Sequence, residues 1–526
     1  MQSLLPKISK KGVLALAASL LTLGVVIAGC SNTSSSSQNN TIPNTNTSAS
    51  PTTITDAPDD QVLATSLTLN SIILTDSAGK VTTNLLAAGP ITFEASHLDA
   101  VQEPLFSPAI PEDTGNYYVS VTLTYSNAQV AYINTATTPA SIVLDSTPTL
   151  ANTSQTITFA SPGITISNAT TSLLIDYLVA QSVAISGCTA SGCTVTVTPD
   201  FDVTVVHIPN VPTNGTNGLQ THRGVVTAIS ASTDSFTLTN PSGTALTIYV
   251  NANTVFQDFS LTTTTTCTGV ACLSTALEVN ALVEVDTITQ NSTNTNSLPA
   301  GSLLAKRVEV DDNGTTPKEM LLGPVTSVTG TPATSFNMVV RQLVANPSTS
   351  ETSISLETVD VTVNGSTNFL LPPRYAIFAT ALPFTPSFTA STIFAGQHVG
   401  VVTSSIATSL SGTVATATSV LLEPQTISGT ITAITHSGAY TIYTITLPSD
   451  HWLAKLTGQT TVKVYTNDLV VMPLNTVTPS ATSGTVVMRF NGYLFNNAGT
   501  LSLLACLQAD PPGTPIFAGT PNGPTI

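Results

Sequence analysis

Three stretches of the chain open alike, at Gly224-Val-Val-Thr-Ala-Ile229, Gly323-Pro-Val-Thr-Ser-Val328 and Gly429-Thr-Ile-Thr-Ala-Ile434, at intervals of 99 and 106 residues. Within each, later landmarks recur in the same order. A strand runs into an Asn-containing turn (Val250–Phe256, Val363–Phe369, Val464–Val470), a further strand follows (Ala281–Val285, Gly396–Val401, Gly484–Phe490), and a last one closes the segment (Leu303–Val310, Ala417–Leu422, Leu501–Leu507). Repetition at this length means duplicated domains rather than a solenoid, because each unit is long enough to bury its own core. The runs are short and alternate apolar with polar residues, the period of half-buried strands. With five or so strands, a glycine where the first begins and almost no helix, each unit is expected to close into a small β-barrel like the oligonucleotide/oligosaccharide-binding (OB) fold. The expected bounds are 221–312, 320–426 and 427–513, with a disordered tail at 514–526. The second and third units diverge: Pro324 is expected to interrupt the opening strand, and an insertion runs from Leu370 to Phe394. That proline-rich insertion carries Tyr375, Phe378, Phe384 and Phe388 and is the best candidate recognition loop; its plainer reading is a packed surface loop.

Upstream, residues 56–210 hold alternating runs at Leu67–Leu74 and Val119–Tyr125, then at Ser141–Leu144, Thr156–Phe159, Leu173–Val179, Cys193–Val197 and Phe201–Ile208. One short helix-like piece lies at Ala95–Val101. Short strands with turn signals between them predict an antiparallel β-sandwich. The whole chain therefore reads as all-β: a sandwich, a linker at Pro209–Gly218 and three OB-like barrels.

Charge is scarce. Asp, Glu, Lys and Arg make up 8% of the residues, against about 25% in an ordinary soluble protein. Thr, Ser and Asn must form most of the polar surface. The first 29 residues hold three lysines and no carboxylate, so the remainder has 10 basic and 29 acidic residues, a net charge of −19. This excludes a general nucleic-acid binder, which needs a basic stripe to displace counterions from phosphates.

Lys7, Lys10 and Lys11 precede an almost wholly apolar run from Val13 to Ala28, and Ala28-Gly29 leads into Cys30. This resembles the lipobox of bacterial lipoprotein signal peptides. The resemblance implies that residues 1–29 are removed, that the Cys30 thiol carries diacylglycerol and its new amine an acyl chain such as palmitate, and that the membrane is a partner through this lipid. One acyl chain holds a protein reversibly; two or three, at roughly 0.8 kcal/mol per buried CH₂, hold it stably. The apolar run of 16 residues is shorter than the roughly 20 a spanning helix requires. Ser31 at the next position implies, for a two-membrane bacterium, sorting to the outer membrane, facing periplasm or exterior. Residues 30–55, rich in Ser, Thr and Asn, are expected to be a disordered tether. Further on, Asp56-Ala57-Pro58, Leu67–Leu74, Glu103-Pro104-Leu105, Gly115-Asn116-Tyr117 and Leu173-Leu174-Ile175-Asp176 together resemble the N-terminal domain of an uncharacterised family of bacterial lipoproteins. The first barrel, with Ala305-Lys-Arg-Val-Glu-Val310, resembles an uncharacterised small β-domain that often accompanies that family. Neither resemblance implies an activity.

Cys188 and Cys193 share the spacing of Cys267 and Cys272, each pair lying where a turn joins two β-like runs. A disulfide within each pair would pin a hairpin in an oxidising compartment; a shared four-thiolate zinc site is the alternative. Cys506 reads as a small buried hydrophobe. Ser77-Ala-Gly-Lys80 matches the Ser-x-x-Lys of penicillin-binding enzymes but contains a glycine between two β-like runs, which favours a hairpin turn. Asp56, Asp59 and Asp60, and Asp311-Asp312-Asn313-Gly314, gather carboxylates without the ligand alternation of a calcium hand. The histidines at 97, 207, 222, 398, 436 and 451 show no ligand-pair spacing and read as surface or strand residues. No catalytic constellation, metal or cofactor is expected. The expected role is binding or structural display at the bacterial envelope, with polysaccharide or an envelope protein as partner; the alternatives are an envelope glycan hydrolase and a passive spacer.

Overall fold

The structure is a computed structural model that describes most of residues 47–509; residues 1–46, 510–526 and internal stretches, chiefly 208–218 and 468–486, lie outside the described residues. The expected signal peptide, Cys30, the linker, most of the tether and the tail fall there, as does nearly all of the helix expected at Ala95–Val101.

The sandwich forms as the alternation predicts. One sheet is built on Val62–Asp76 and Tyr118–Asn134, paired antiparallel, with Ile91–Glu94, Ser141–Asp145 and Ser154–Thr158 beside them. The facing sheet contains Thr171–Leu178 and Phe201–His207. Between the two lie Leu67, Leu69, Ile72, Val121, Leu123, Ile175, Tyr177 and Phe201, all buried. The antiparallel expectation needs two corrections: Thr149–Leu150 pairs parallel with Gly192–Val197, and Thr52–Ala57 pairs parallel with Thr171–Leu178. The first four residues of Thr52–Ala57 were expected to be tether, because Thr and Ser carry no core signal; strand pairing there uses the backbone.

Each repeat closes by one pairing scheme. In the first, Leu219–Ser230 pairs with Ser235–Thr239, which pairs with Ala245–Tyr249; the latter lies parallel to Leu303–Asp312, which pairs with Leu282–Thr289, and this returns to Leu219–Ser230. The strand order is 1-2-3-5-4 and back to 1. Glu319–Gly330, Ala333–Val339, Thr358–Thr362, His398–Ser409 and Gly412–Leu422 repeat it, as do Gln425–Ser437, Tyr440–Thr446, Thr461–Thr466, Val487–Asn497 and Thr500–Ala509.

The shared opening motif has a spatial cause. At Gly224, Gly323 and Gly429 the first strand leaves the fourth strand and turns to the second, and a Cβ there would overlap the backbone carbonyl of Thr239, Val339 or Thr446. These glycines are needed for space, since none has the positive φ of a left-handed residue. Three positions on, Thr227, Thr326 and Thr432 each occupy a bulge in the first strand. Their hydroxyls donate to the carbonyls of Thr237, Asn337 and Thr444 at 3.4, 3.1 and 3.1 Å. Pro324 does not interrupt its strand. It sits beside the switch glycine in register with His398, and the strand runs on to Gly330. The Asn turn is equally regular in the first two repeats. Asn251 and Asn364 each accept from the backbone two residues on, while Thr254 and Thr367 bridge to the fifth-strand carbonyls of Ala305 and Ala417.

The modules pack against one another. Leu63, Ala64, Ala131 and Ile133 of the sandwich share one buried cluster with Val339 of the second barrel and the core of the third. Arg341 of the second barrel donates to the carbonyls of Leu63 at 2.6 Å and Ser96 at 3.2 Å. The insertion fills the join between second and third barrels. Phe378 and Phe388 are buried there, Tyr375 meets Tyr493 and Phe495 edge-on, and Phe384 lies 4.9 Å from Tyr465. Tyr440 Oη is within hydrogen-bonding distance of the Phe378 and Thr380 carbonyls, at 2.6 and 2.9 Å. The expected recognition loop is thus an internal strap, its aromatic rings spent on module-to-module packing.

Candidate functional site

Among the described residues, the buried ion pairs gather at one place, the outer wall of the first barrel where the second covers it. Along Leu282–Thr289, Val283 and Val285 point into the barrel core, and alternation puts Glu284 and Asp286 on the other face. Along Leu303–Asp312, Val308 and Val310 point inward, leaving Arg307 and Glu309 outside. Register then makes two cross-strand rows. Arg223, Glu284 and Glu309 lie side by side in one; Thr221, Asp286 and Arg307 in the next.

Arg307 is the centre of this patch. Its Nη2 and Nε meet Asp286 Oδ2 at 2.7 and 3.0 Å, its Nη1 meets Glu309 Oε1 at 2.7 Å, and Glu284 Oε1 is 3.6 Å away. Thr221 Oγ1 donates to the other oxygen of Asp286 at 2.9 Å. Arg223 pairs with Glu284 and, at 3.1 Å, with Glu423 of the second barrel. Glu423 follows the fifth strand of that barrel, and Gly400 makes room for it: a Cβ at Gly400 would stand 3.0 Å from Glu423 Oε1. Val225 and Leu282 of the first barrel pack with Met320, Leu322, Val402 and Leu421 of the second in an adjoining apolar cluster. The ion pairs are therefore held in a low-dielectric junction, where attraction is strong and desolvation costly. Burial disfavours the charged guanidinium of Arg307, yet Asp286, Glu309 and Glu284 outweigh it and hold the cation. Burial pushes the carboxyl groups of Asp311 and Glu423 up, against the pull of Arg223.

Apart from Asp311 and the Ala305–Val310 motif, the residues singled out in the sequence lie elsewhere. Cys188 is bonded to Cys193 across the hairpin of Val183–Thr189 and Gly192–Val197, and Cys267 is bonded to Cys272. The second bridge departs from the hairpin expectation, because Cys272 lies in the 3₁₀ turn Val270–Ser274. Cys506 is buried in the strand Thr500–Ala509. Ser77–Lys80 is a turn closed by Asp76, whose Oδ1 accepts from the amides of Ala78 and Lys80 at 2.9 and 2.7 Å. Of the aspartates near residue 58, Asp56 is in a strand and the others lie outside the described residues. Asp312 pairs with Lys318 at 2.6 Å, while Asn313 bonds Asp258. Among the described residues no group of three metal-ligating side chains is close enough to hold an ion.

Three histidines read as surface or strand residues are buried with partners. His222 bonds Thr287 at 2.8 Å, His398 Nδ1 meets the Pro424 carbonyl at 3.0 Å, and His451 Nδ1 accepts the Leu453 amide at 3.0 Å, capping the helix Trp452–Thr457. Burial pushes the His451 imidazole down to about 4. A depressed histidine contributes stability that is whole above its ordinary value near 6.5 and is lost as pH falls toward 4. The chain's one tryptophan, Trp452, stacks on this ring at 5.8 Å. Its emission is expected to change with a midpoint near pH 4; a midpoint near 6.5 in a fluorescence titration would reject the buried, neutral cap.

Of the charges of the junction, Asp311, Arg307 and Glu309 were singled out in the sequence for other reasons and the rest were missed, although Glu284-Val-Asp286 and Arg307-Val-Glu309 carry the available signal: alternating charge in a chain that has little elsewhere. Among the described residues no helix is long and apolar enough to cross a membrane, which says nothing of strands. Compared with known proteins, the chain matches no family model, and no curated protein is significantly similar to it.

Proposed function

We propose that the chain is a lipid-anchored protein of the bacterial envelope that acts by structural display, holding Thr/Ser/Asn-rich β-modules outside the cytoplasm for contact with polysaccharide or a partner protein. The observation that carries this reading is the way the modules are joined. Shared apolar clusters, the insertion's aromatics and a bridging Arg223–Glu423 pair lock sandwich and barrels to one another. Such joining suits a body that must keep its faces in fixed relation. The carboxyl groups with raised affinity for protons lie in that join, with Asp311 2% and Glu423 7% exposed, where no glycan can reach them. This favours display over hydrolysis. The anchor rests on the lipobox resemblance at Cys30.

The test is cell fractionation of Cys30→Ala beside the natural chain, followed by binding of the natural chain to purified envelope polysaccharide with product release monitored. The variant should leave the membrane fraction, and the natural chain should bind without turnover. A variant that stays in the membrane removes the anchor from this reading, and sugar release replaces display with catalysis.

A further inference from the structure

The junction between the first two barrels holds more negative than positive charge. Arg223 and Arg307 face Glu284, Asp286, Glu309 and Glu423, and Asp311 is a fifth carboxyl in the same field. Asp311 lies at a register shift: Val283 pairs with Val310 and Leu282 with Asp312, leaving Asp311 as the extra residue of a bulge. The bulge turns its side chain into the protein, 2% exposed, and its Oδ2 has no hydrogen-bond partner among the described residues. A buried acceptor without a donor is costly, and an ionised one more so. Lys318 neutralises the neighbouring Asp312, and Arg223 is already shared by Glu284 and Glu423. Around Asp311 itself, one guanidinium faces three other carboxylates.

We propose that Asp311 and Glu423 share a proton that the unfolded chain would release, so that the barrel 1–barrel 2 junction is a pH-responsive clamp, tight in acid and looser in alkali. Protonation supplies what the orphan oxygen lacks, since a carboxylic acid carries a donor. The groups facing Asp311 come from each packed element: Arg223 from the first strand, Glu284 from the fourth, Glu309 from its own, and Glu423 from the second barrel. Only Arg223 favours ionisation; the other three oppose it, as does burial. Carboxyl groups that bind protons more tightly in the fold than in the unfolded chain contribute stability that is whole below their ordinary range, near pH 4. That contribution is lost as pH rises through their raised values.

The experiment is thermal melting of the full chain in detergent at pH 5 and pH 8, for the natural sequence and for Asp311→Asn, which keeps the shape and cannot ionise. Between pH 5 and 8 the natural chain should lose melting temperature relative to Asp311→Asn. Asp311→Asn should melt a few degrees above it at pH 8 and lose less across the interval. His451 contributes equally to both chains and cancels in the comparison. Should Asp311→Asn fail to fold, hydrogen exchange of the natural chain, corrected for intrinsic rates, decides: Leu303–Asp312 and Gly412–Leu422 should be better protected at pH 5. Equal pH slopes in both chains, or equal protection at both pH values, would overturn the clamp. So would a rise in melting temperature on adding calcium at pH 8, which would mean that the excess charge takes a metal cation.

Discussion

Arg307→Leu is expected to cost about 3–5 kcal/mol, the penalty for removing one partner from a buried ionic cluster. Among the described residues the arginine bonds both Asp286 Oδ2 and Glu309 Oε1, and its side chain is 3% exposed. Leucine would leave those two carboxylates buried against each other and against Glu284, so most of the loss comes from stranded charge rather than from the bonds themselves. Because the chain has several modules, one melting temperature would blur the effect. Hydrogen exchange is local, and Leu282–Thr289 and Leu303–Asp312 should exchange about a hundredfold faster or more. Adding Asp286→Asn and Glu309→Gln to Arg307→Leu should restore much of the protection, because it removes the charges left behind. If Arg307→Leu alone changed exchange less than about tenfold, the junction would be wetter than its burial indicates.

The fold was legible from the sequence because it rests on local, periodic signals. Alternation marked the long strands, and the recurring Gly-x-(Val/Ile)-Thr marked three first strands whose common geometry explains its glycine and its threonine. What escaped was non-local. Thr52–Thr55 looked like tether because a strand held by main-chain pairing to Thr171–Leu178 needs few apolar side chains. The insertion's rings looked available because Tyr440, Tyr465, Tyr493 and Phe495, which cover them, lie about 60 or more residues further on and belong to another barrel. The junction escaped for the same reason. Glu284 and Arg307 occupy outward positions on strands and Glu423 lies just past the end of one, and outward on an isolated barrel means solvent. Only docking of the second barrel makes that face interior.

Among the described glycines of ordinary φ, Gly323→Ala should be the most damaging single methyl to add. The new Cβ would overlap the carbonyl oxygen of Val339 and crowd the amide of Arg341, which donates to Leu322 at 2.7 Å across the same gap. Both neighbours are backbone, so no side-chain rotation relieves the contact; the first and second strands would have to separate. Separation would spread, because Val339 belongs to the cluster shared with sandwich and third barrel, and Arg341 ties the barrel to Leu63 and Ser96. A loss above about 4 kcal/mol follows, beyond ordinary single substitutions. Gly365→Ala is the control, since a Cβ there meets nothing within 4 Å and its φ is ordinary. The equivalent glycines should rank by overlap, with Gly429→Ala mildest because its Cβ would stand 2.7 Å from the Thr446 carbonyl, the widest gap of the three. Limited proteolysis and melting of the four variants would check the order. A Gly323→Ala chain that melts with Gly365→Ala would mean that the strands can part at little cost, and the motif would then owe its recurrence to something other than this close approach.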